Sequence, residues 1–415
     1  MNTSMKPLDR QIITSFLDMD LYKLTMMQLV FHRFPHAVVE HEFRCRTKNA
    51  NLARLYVQVK EQINSLENLR FQASELSYLN HRLSFIKKDF IDFLEIFKFD
   101  VSQVHISTEG EDLKISTYGP WWKTILYEIL ILAIVNELHY ADLMKDMTKR
   151  EVSDIYEEGR RRLEEKVAIV KDVEGFVFTD FGTRRRFNKE WHYDVVDMCR
   201  HIAPKNLFGT SNVYLAKELE LNPVGTMAHE YLQAFQAFDN RLVDSQKMAL
   251  ENWVQEYRGD LGIALTDVIG IDAFLKDFDL YFAKLFDGVR HDSGDPIVWG
   301  EKVIDHYNKL KIDPKTKLLV FSDGLTFPKA LEIFNHFNGK AKTSFGIGTN
   351  LTNDLGFAPI NIVMKMVNCN GKPVAKISDS AGKGMCHDKV YEEYLIKVYA
   401  EKPSLFENMT GYKVS

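Results

Sequence analysis

Cysteine is scarce: Cys45, Cys199, Cys369 and Cys386 are the only four in 415 residues, and no two form a CxxC pair. That spacing excludes a zinc-finger site and a disulfide framework, and it fits a reducing cytoplasm. Basic excess is missing too. A net charge of −5 offers no field for a phosphate backbone, so no nucleic-acid partner is expected. The chain does not open on the positive-then-apolar pattern of a secretory leader, so a cytoplasmic location is the expectation. Its most apolar stretch, TILYEILILAIVNEL from Thr124 to Leu138, is short for a membrane span and contains Glu128 and Glu137. A buried core helix is expected there, and no membrane partner. Neither a Walker A loop nor a GxGxxG dinucleotide fingerprint occurs.

What is present is an ordinary globular composition, 45% hydrophobic and 27% charged, on a chain long enough for two lobes. The first 150 residues or so are mixed. Helical spacing begins near Leu21, and EHEFRCRT reads as a strand. VHISTEGEDLKIST alternates around Glu109–Asp112 and reads as a hairpin, and Pro120 opens the buried helix. Glu151 to Lys171 carries acids and bases three and four apart, a solvated helix that sends Arg160, Arg161 and Arg162 to the surface.

Beyond Glu174 the texture changes. Short apolar runs recur, each ending in a polar tip and most separated by helical segments: GFVFTDFGTRRRF, NLFGTSNVYLA, PVGTMAHE, IALTDVIG, LFDGVRHDSGDP, LLVFSDGL and SFGIGTNLTND. Strand, tip, helix, repeated, is the grammar of parallel β/α units, and seven of them point to an α/β fold with a β/α barrel over about 151–365. An open doubly wound sheet is the alternative. The tail carries Asn370-Gly371 between two apolar runs, a hairpin signal. Its different texture assigns about 366–415 to a second α/β lobe shared with residues 1–150.

The tips carry distinct chemistries. FGIGTN supplies Gly346, Gly348, Thr349 and Asn350, whose backbone and side-chain donors suit a phosphate monoester. FSDGL supplies Ser322, Asp323 and Gly324 for sugar hydroxyls. DGVRHDSGDP sets Asp287, Asp292 and Asp295 around Arg290, with Ser293 and Gly294 between, a pattern for Mg²⁺-bound phosphates or sugar hydroxyls. Asp295 is a candidate metal ligand. In FGTRRRF, strand alternation would send Arg184 and Arg186 to one side and Arg185 to the other, with Phe181 placed to stack on a flat ring. Together these tips describe a site for a phosphorylated sugar beside a small aromatic acid.

The set DMDLYKLTM, FGTRRRF, FGTSN, GTMAHE, GVRHDSGDP, FSDGL and FGIGTN, in this order over most of the chain, resembles the nicotinate phosphoribosyltransferase family of bacterial and fungal type. The resemblance implies an irregular β/α barrel of the type II phosphoribosyltransferase kind plus an α/β lobe built from both chain ends. It implies transfer of phosphoribose from phosphoribosyl pyrophosphate to nicotinate, the entry of nicotinate into NAD synthesis, with Mg²⁺ and with ATP as co-substrate. It makes His229 of GTMAHE the phosphorylated histidine, with Arg290 and Asp292 catalytic. It implies that Tyr22 and Phe181 sandwich the pyridine ring and that Arg184 or Arg290 holds its carboxylate. Asp292, Ser293 and Asp323 would lie near ribose and metal, Gly348, Thr349 and Asn350 at the 5′-phosphate, and Thr210 along the pocket. Monomer and homodimer both stay open, because in related enzymes the N-terminal tyrosine can come from a neighbouring subunit. Competing readings are the same fold acting on nicotinamide and a non-catalytic phosphosugar-binding barrel. Arginine density favours a carboxylate substrate over the amide, and binding alone needs no phosphorylatable histidine. An aldolase or dehydrogenase would want a tip lysine, and Lys284 lies mid-run.

Overall fold

A computed structural model of the chain describes residues 10–238, 241–380, 384, 386–403 and 405. Of the tail expected over 366–415, residues 381–383, 385, 404 and 406–415 lie outside the described residues. Among the described residues there are thirteen strands. In chain order they are β1 (Val38–Cys45), β2 (Val104–Glu109), β3 (Asp112–Pro120), β4 (Phe178–Asp180), β5 (Leu207–Thr210), β6 (Asn222–Pro223) and β7 (Arg258–Leu261). Then come β8 (Ile263–Leu265), β9 (Gly288–His291), β10 (Leu318–Phe321), β11 (Lys342–Ile347), β12 (Ile362–Cys369) and β13 (Lys372–Pro373).

One sheet has the order β13-β12-β1-β3-β2 and a seven-stranded one the order β6-β5-β4-β11-β10-β9-β8. The expected hairpins are present. Glu109 faces Asp112 across β2 and β3, and Cys369 faces Lys372 across β12 and β13. Asn370 and Gly371 both have positive φ, 51° and 76°, as a two-residue type I′ turn requires. In the larger sheet β4/β5, β5/β6, β8/β9, β9/β10 and β10/β11 are all parallel. Most residues of β4, β8, β9 and β10 are buried, as parallel strands covered on both faces are, while Phe208 of β5 is exposed.

The chain divides into two compact units. One runs to Gly225 and adds Gly324–Leu331 and Gly346–Lys365; the other comprises Thr226–Asp323, Glu332–Phe345 and the chain from Met366 on. One boundary between the units falls between Lys365 and Met366. The segment beyond it, however, groups with residues 226–323, and residues 151–225 group with the N-terminal ones. The reason is visible in the backbone. Val213 donates to the carbonyl of Met19 (3.0 Å), Tyr214 to Leu17 (2.7 Å) and Leu21 to Ser211 (2.8 Å), stitching the chain start to the loop after β5. Every backbone N–H withdrawn from water needs such a partner.

In the first unit, Trp121–Met144 is long and apolar enough to cross a membrane by length and composition, yet 94% of its most apolar window is buried inside the protein. It is the core helix expected from the sequence. Helix Leu21–Arg33 buries its first ten residues, Leu21 to Val30. The charged helix Lys149–Ala168 opens on a capping box, Thr148 with Glu151. Arg161 stays on its surface, while Arg162 reaches Asp354 at 2.9 Å.

Candidate active site

His229 is the first residue of a short helix, His229–Ala234, entered through an extended Ala228. Its Nε2 lies 2.9 Å from Asp267 Oδ1, on the tip after β8, and 3.4 Å from Asp292 Oδ2, on the tip after β9. Carboxylates only accept, so Nε2 carries a proton; in the neutral form of the ring the lone pair is then on Nδ1, the arrangement a nucleophilic imidazole needs. Asp267 is itself held tightly. Ser293 Oγ donates to its Oδ2 at 2.6 Å, Lys376 Nζ lies 2.8 Å from the same oxygen, and the backbone N–H of Asp379 donates to Ser293 Oγ at 3.0 Å. Burial alone would push the Asp267 carboxyl up. The charge of His229 and Lys376 and their hydrogen bonds outweigh it and hold the carboxyl well below its usual range. Asp292 is also lowered: burial and Asp267 oppose its ionisation, while His229, Arg290 and Lys376 favour it.

The two carboxylates differ in access. Asp267 is 1% exposed and Asp292 28%. Ser322 Oγ sits 2.9 Å from Asp292 Oδ1 and 3.0 Å from the His291 carbonyl, bracing the open one. His229, Asp267 and Asp292 offer ligand atoms within 4.8 Å of one another, close enough for a cation. Lys376 already supplies the positive charge on Asp267, leaving Asp292 as the accessible acceptor. Arg290, at the end of β9, is half-buried, and its Nε is buried with no hydrogen-bond partner. Asp323 is half-buried and Gly324 exposed with φ +57°. Gly294 (φ +85°) donates its N–H to Ser380 Oγ at 2.9 Å.

Asp295 has a local structural role. Its Oδ1 accepts from the N–H groups of Ile297 and Val298, both at 2.9 Å, capping helix Pro296–Lys309. A carboxylate followed by proline at the first helical position is a helix start signal. That local role places it outside the His229 cluster.

The first unit holds a second group. β4 ends at Asp180, and Thr183–Arg185 is a 3₁₀ turn. The strand alternation expected for the arginines is therefore absent, and each has its own surroundings. Arg186 is not an open substrate ligand: it is 1% exposed, with Nε on Glu137 (2.8 Å) and its two terminal nitrogens on Asp18 (2.5 and 2.9 Å). Arg184 keeps 38% of its side chain exposed, 3.6 Å from Glu128, which is bound by the fully buried Lys23 at 2.6 Å. Burial would raise the Glu128 carboxyl, but Lys23, Arg184 and Lys365 bring it down to about 2. The local balance around this carboxylate is cationic.

Phe181 is half-buried, and its N–H donates to Ile347 at 2.9 Å. Gly346 is required by that ring. A Cβ there would lie 2.2 Å from Phe181 Cδ2, so this glycine makes room for the ring. Tyr22 is 8% exposed on the first turn of its helix. Thr210 is fully buried and spent: its hydroxyl donates to Asp180 Oδ2 at 2.6 Å, beside His192 Nε2 at 2.7 Å. It braces the tip instead of lining an opening. Gly348 precedes the helical turn Thr349–Thr352, where Thr349 and Asn350 are half-exposed and Lys166 Nζ holds the Asn350 carbonyl at 2.6 Å.

The structure thus gathers the tip residues into two sets. Phe181 to Arg186 meet Ile347 and Thr352 in the first unit, and in the second His229 meets Asp267 and Asp292 directly and Ser293 through Asp267. Asp267, Lys376, Lys23 and Glu128 were not singled out from sequence. Asp267 stood at the polar end of the IALTDVIG run, a signal of the same kind as the tips that were. Lys376 and Lys23 carry no local signal.

Side chains of this kind at the carboxyl ends of parallel strands define an α/β enzyme of the β/α-barrel class. The model of the nicotinate phosphoribosyltransferase family matches residues 176–402, and that of the family's N-terminal domain matches residues 17–136. The nicotinate phosphoribosyltransferase of Chromobacterium violaceum is 53% identical over 403 residues, 95% of this chain and 98% of the relative. That of Burkholderia mallei is 52% identical over 394 residues, 94% and 97%. The crystal structure of the Vibrio cholerae enzyme superposes with TM-score 0.90 at 38% identity, covering 98% of each chain. That of Porphyromonas gingivalis gives 0.87 at 34%, covering 94% of this chain and all of the other. The chain belongs to the nicotinate phosphoribosyltransferase family.

Proposed function

We propose that this protein is a nicotinate phosphoribosyltransferase driven by ATP through phosphorylation of His229. Membership of the family supports the transfer reaction, and the imidazole between Asp267 and Asp292 is the observation that carries the ATP coupling. The pyridine nitrogen of nicotinate attacks C1 of the ribose in phosphoribosyl pyrophosphate. The C–N bond forms as the C–O bond to pyrophosphate breaks, giving nicotinate mononucleotide and pyrophosphate. Little acid–base help is needed, because the ring nitrogen already has its lone pair. The protein must position the reactants and stabilise departing charge.

The cationic surroundings of Glu128 support Arg184, with Lys23 and Lys365 behind it, as the group that selects a carboxylate over a neutral amide. Tyr22 and Phe181 would flank the ring. Arg290, whose Nε is buried without a partner, would take substrate oxygens, and Gly348, Thr349 and Asn350 the 5′-phosphate. In the coupled step Nδ1 of His229 accepts the γ-phosphoryl of ATP and ADP leaves. Water later cleaves the P–N bond to release inorganic phosphate. Asp267 holds the ring's tautomer and orientation throughout. Asp292, the accessible carboxylate, and Asp323 suit Mg²⁺ arriving with the diphosphate, where the ion would offset the negative charge of the leaving group. Phosphorylation would favour phosphoribosyl pyrophosphate binding, and its loss product release. The reading includes a cytoplasmic location, supported by four unpaired cysteines.

The test incubates the protein with labelled nicotinate, phosphoribosyl pyrophosphate and Mg²⁺, with and without ATP. Labelled mononucleotide should form and ATP should stimulate it. His229→Asn should abolish both the stimulation and the acid-labile phosphoryl label on the protein. Full ATP stimulation in that variant sinks the coupling; no mononucleotide under any condition sinks the transfer.

A further inference from the structure

We infer that Arg186, clamped by Asp18, is a positioning residue for pyridine recognition, acting through the two chain segments it joins rather than by touching substrate. The inference rests on the reading of Tyr22, Phe181 and Arg184 as the nicotinate slot. Those residues come from two segments distant in sequence: Tyr22 from the first turn of helix Leu21–Arg33, and Phe181 and Arg184 from the turn after β4. Asp18 lies four residues before Tyr22 and Arg186 two residues after Arg184, so the pair ties the segments together next to the groups that matter.

The clamp is built for rigidity. The guanidinium grips both oxygens of Asp18 and donates a third bond to Glu137, at 2.5, 2.9 and 2.8 Å. The Arg186 carbonyl accepts from Asn136 Nδ2 at 2.5 Å, fixing the turn's backbone as well as its side chain. Asp18 Oδ1 also takes Asn212 Nδ2 at 2.9 Å. Ser211 Oγ donates to Asp20 Oδ1 at 2.6 Å, and the Leu21 N–H to the Ser211 carbonyl at 2.8 Å. The last of these bonds sits one residue from Tyr22. A planar, bidentate fork sets both distance and orientation, which a point charge does not. Sites built from such supported segments lose function when the supports loosen by a fraction of an ångström.

The experiment compares the full-length protein with Asp18→Asn, which keeps the shape and leaves Arg186 its bond to Glu137. Three quantities are read: KM for nicotinate, kcat at saturating nicotinate, and phosphorylation of His229 by ATP alone. The expected result is a rise in nicotinate KM of about tenfold or more, as for other supporting residues, with kcat and His229 phosphorylation within about twofold of wild type. Asp18→Glu, which restores the charge, should recover part of the affinity. A folded Asp18→Asn protein with unchanged nicotinate KM overturns the inference. So does a loss of kcat and His229 phosphorylation as large as the loss of nicotinate affinity, which marks a merely structural role. If Asp18→Asn does not fold, Glu137→Gln is measured in the same way, and an unchanged KM there overturns it equally. Tyr22→Ala and Arg184→Ala separate the two failures. If they leave nicotinate KM unaltered, the slot itself is misassigned; if they raise it and the Asp18 variant does not, only the positioning role is lost.

Discussion

Two buried clusters in this protein share one plan, a planar nitrogen group between two carboxylates, and differ in what they leave open. Arg186 lies between Asp18 and Glu137, at 1%, 1% and 4% exposure. His229 lies between Asp267 and Asp292, at 9%, 1% and 28%. Guanidinium stays protonated at any physiological pH and has no acceptor, so the first cluster can hold but cannot react. Imidazole can lose a proton and then has a lone pair opposite its bonded N–H, and one of its carboxylates has an exposed edge. The same charge pattern is thus sealed in one cluster and left accessible on one side in the other. Ser293 and Lys376 hold the buried Asp267 against the ring, while Asp292 keeps 28% of its side chain exposed.

That contrast can be broken experimentally. Arg186→Met should be the most damaging change to stability, about 3–5 kcal/mol, because it removes the buried cation shared by two buried carboxylates and leaves Asp18 only the more distant Lys189; urea unfolding measures it, and a cost under 1 kcal/mol would remove the distinction between the clusters. Asp267→Asn should cost less in stability but about 10–100-fold in ATP-stimulated kcat/KM, the range for a residue that orients a reactive group. Steady-state kinetics with and without ATP check this, and an equal loss without ATP would argue against a role confined to His229. The third effect is a pH dependence. Burial opposes ionisation of Asp18, but Arg186 and Lys189 hold its carboxyl below the usual range; Asp267 is lowered likewise. Their stabilisation is full above the ordinary carboxylate pKa of about 4 and is lost as pH falls through the depressed folded values, since the unfolded chain then binds protons the native one does not. Glu137, raised by burial, contributes with the opposite sign and offsets part of it. Urea midpoints should fall below about pH 4, and Asp18→Asn should flatten that limb. Asp295→Ala should have the smallest effect, about 1 kcal/mol from a lost helix cap, with the Mg²⁺ dependence of activity unaltered. A shifted Mg²⁺ requirement would return Asp295 to the metal.

Much of the second unit was legible because its signals are local. A strand followed by a polar tip is written in consecutive residues, so GTMAHE and GVRHDSGDP could be read as site segments without knowing their partners. The arginine run shows the limit. FGTRRRF looks like three equivalent cations on a strand end, yet the strand stops at Asp180 and the 3₁₀ turn gives Arg184 and Arg186 unlike surroundings. Nothing local says that Asp18, 168 residues earlier, will claim one of them. Gly346 is similar: its glycine looked like an anion loop, and the nearby Phe181 ring, 165 residues away in sequence, explains it.

The sequence alone determined the repeating β/α order, the two hairpins at Glu109–Asp112 and Asn370–Gly371 and the buried helix, because periodicity and turn chemistry act between neighbours in the chain; His229 stood out through the family resemblance of its motif. Tertiary structure alone decided which charges are sealed and which remain accessible. Desolvation and ion pairing depend on atoms that arrive from far along the chain, and they turned one arginine into a brace, one aspartate into a helix cap, and Asp267 with Lys376 into the support of His229.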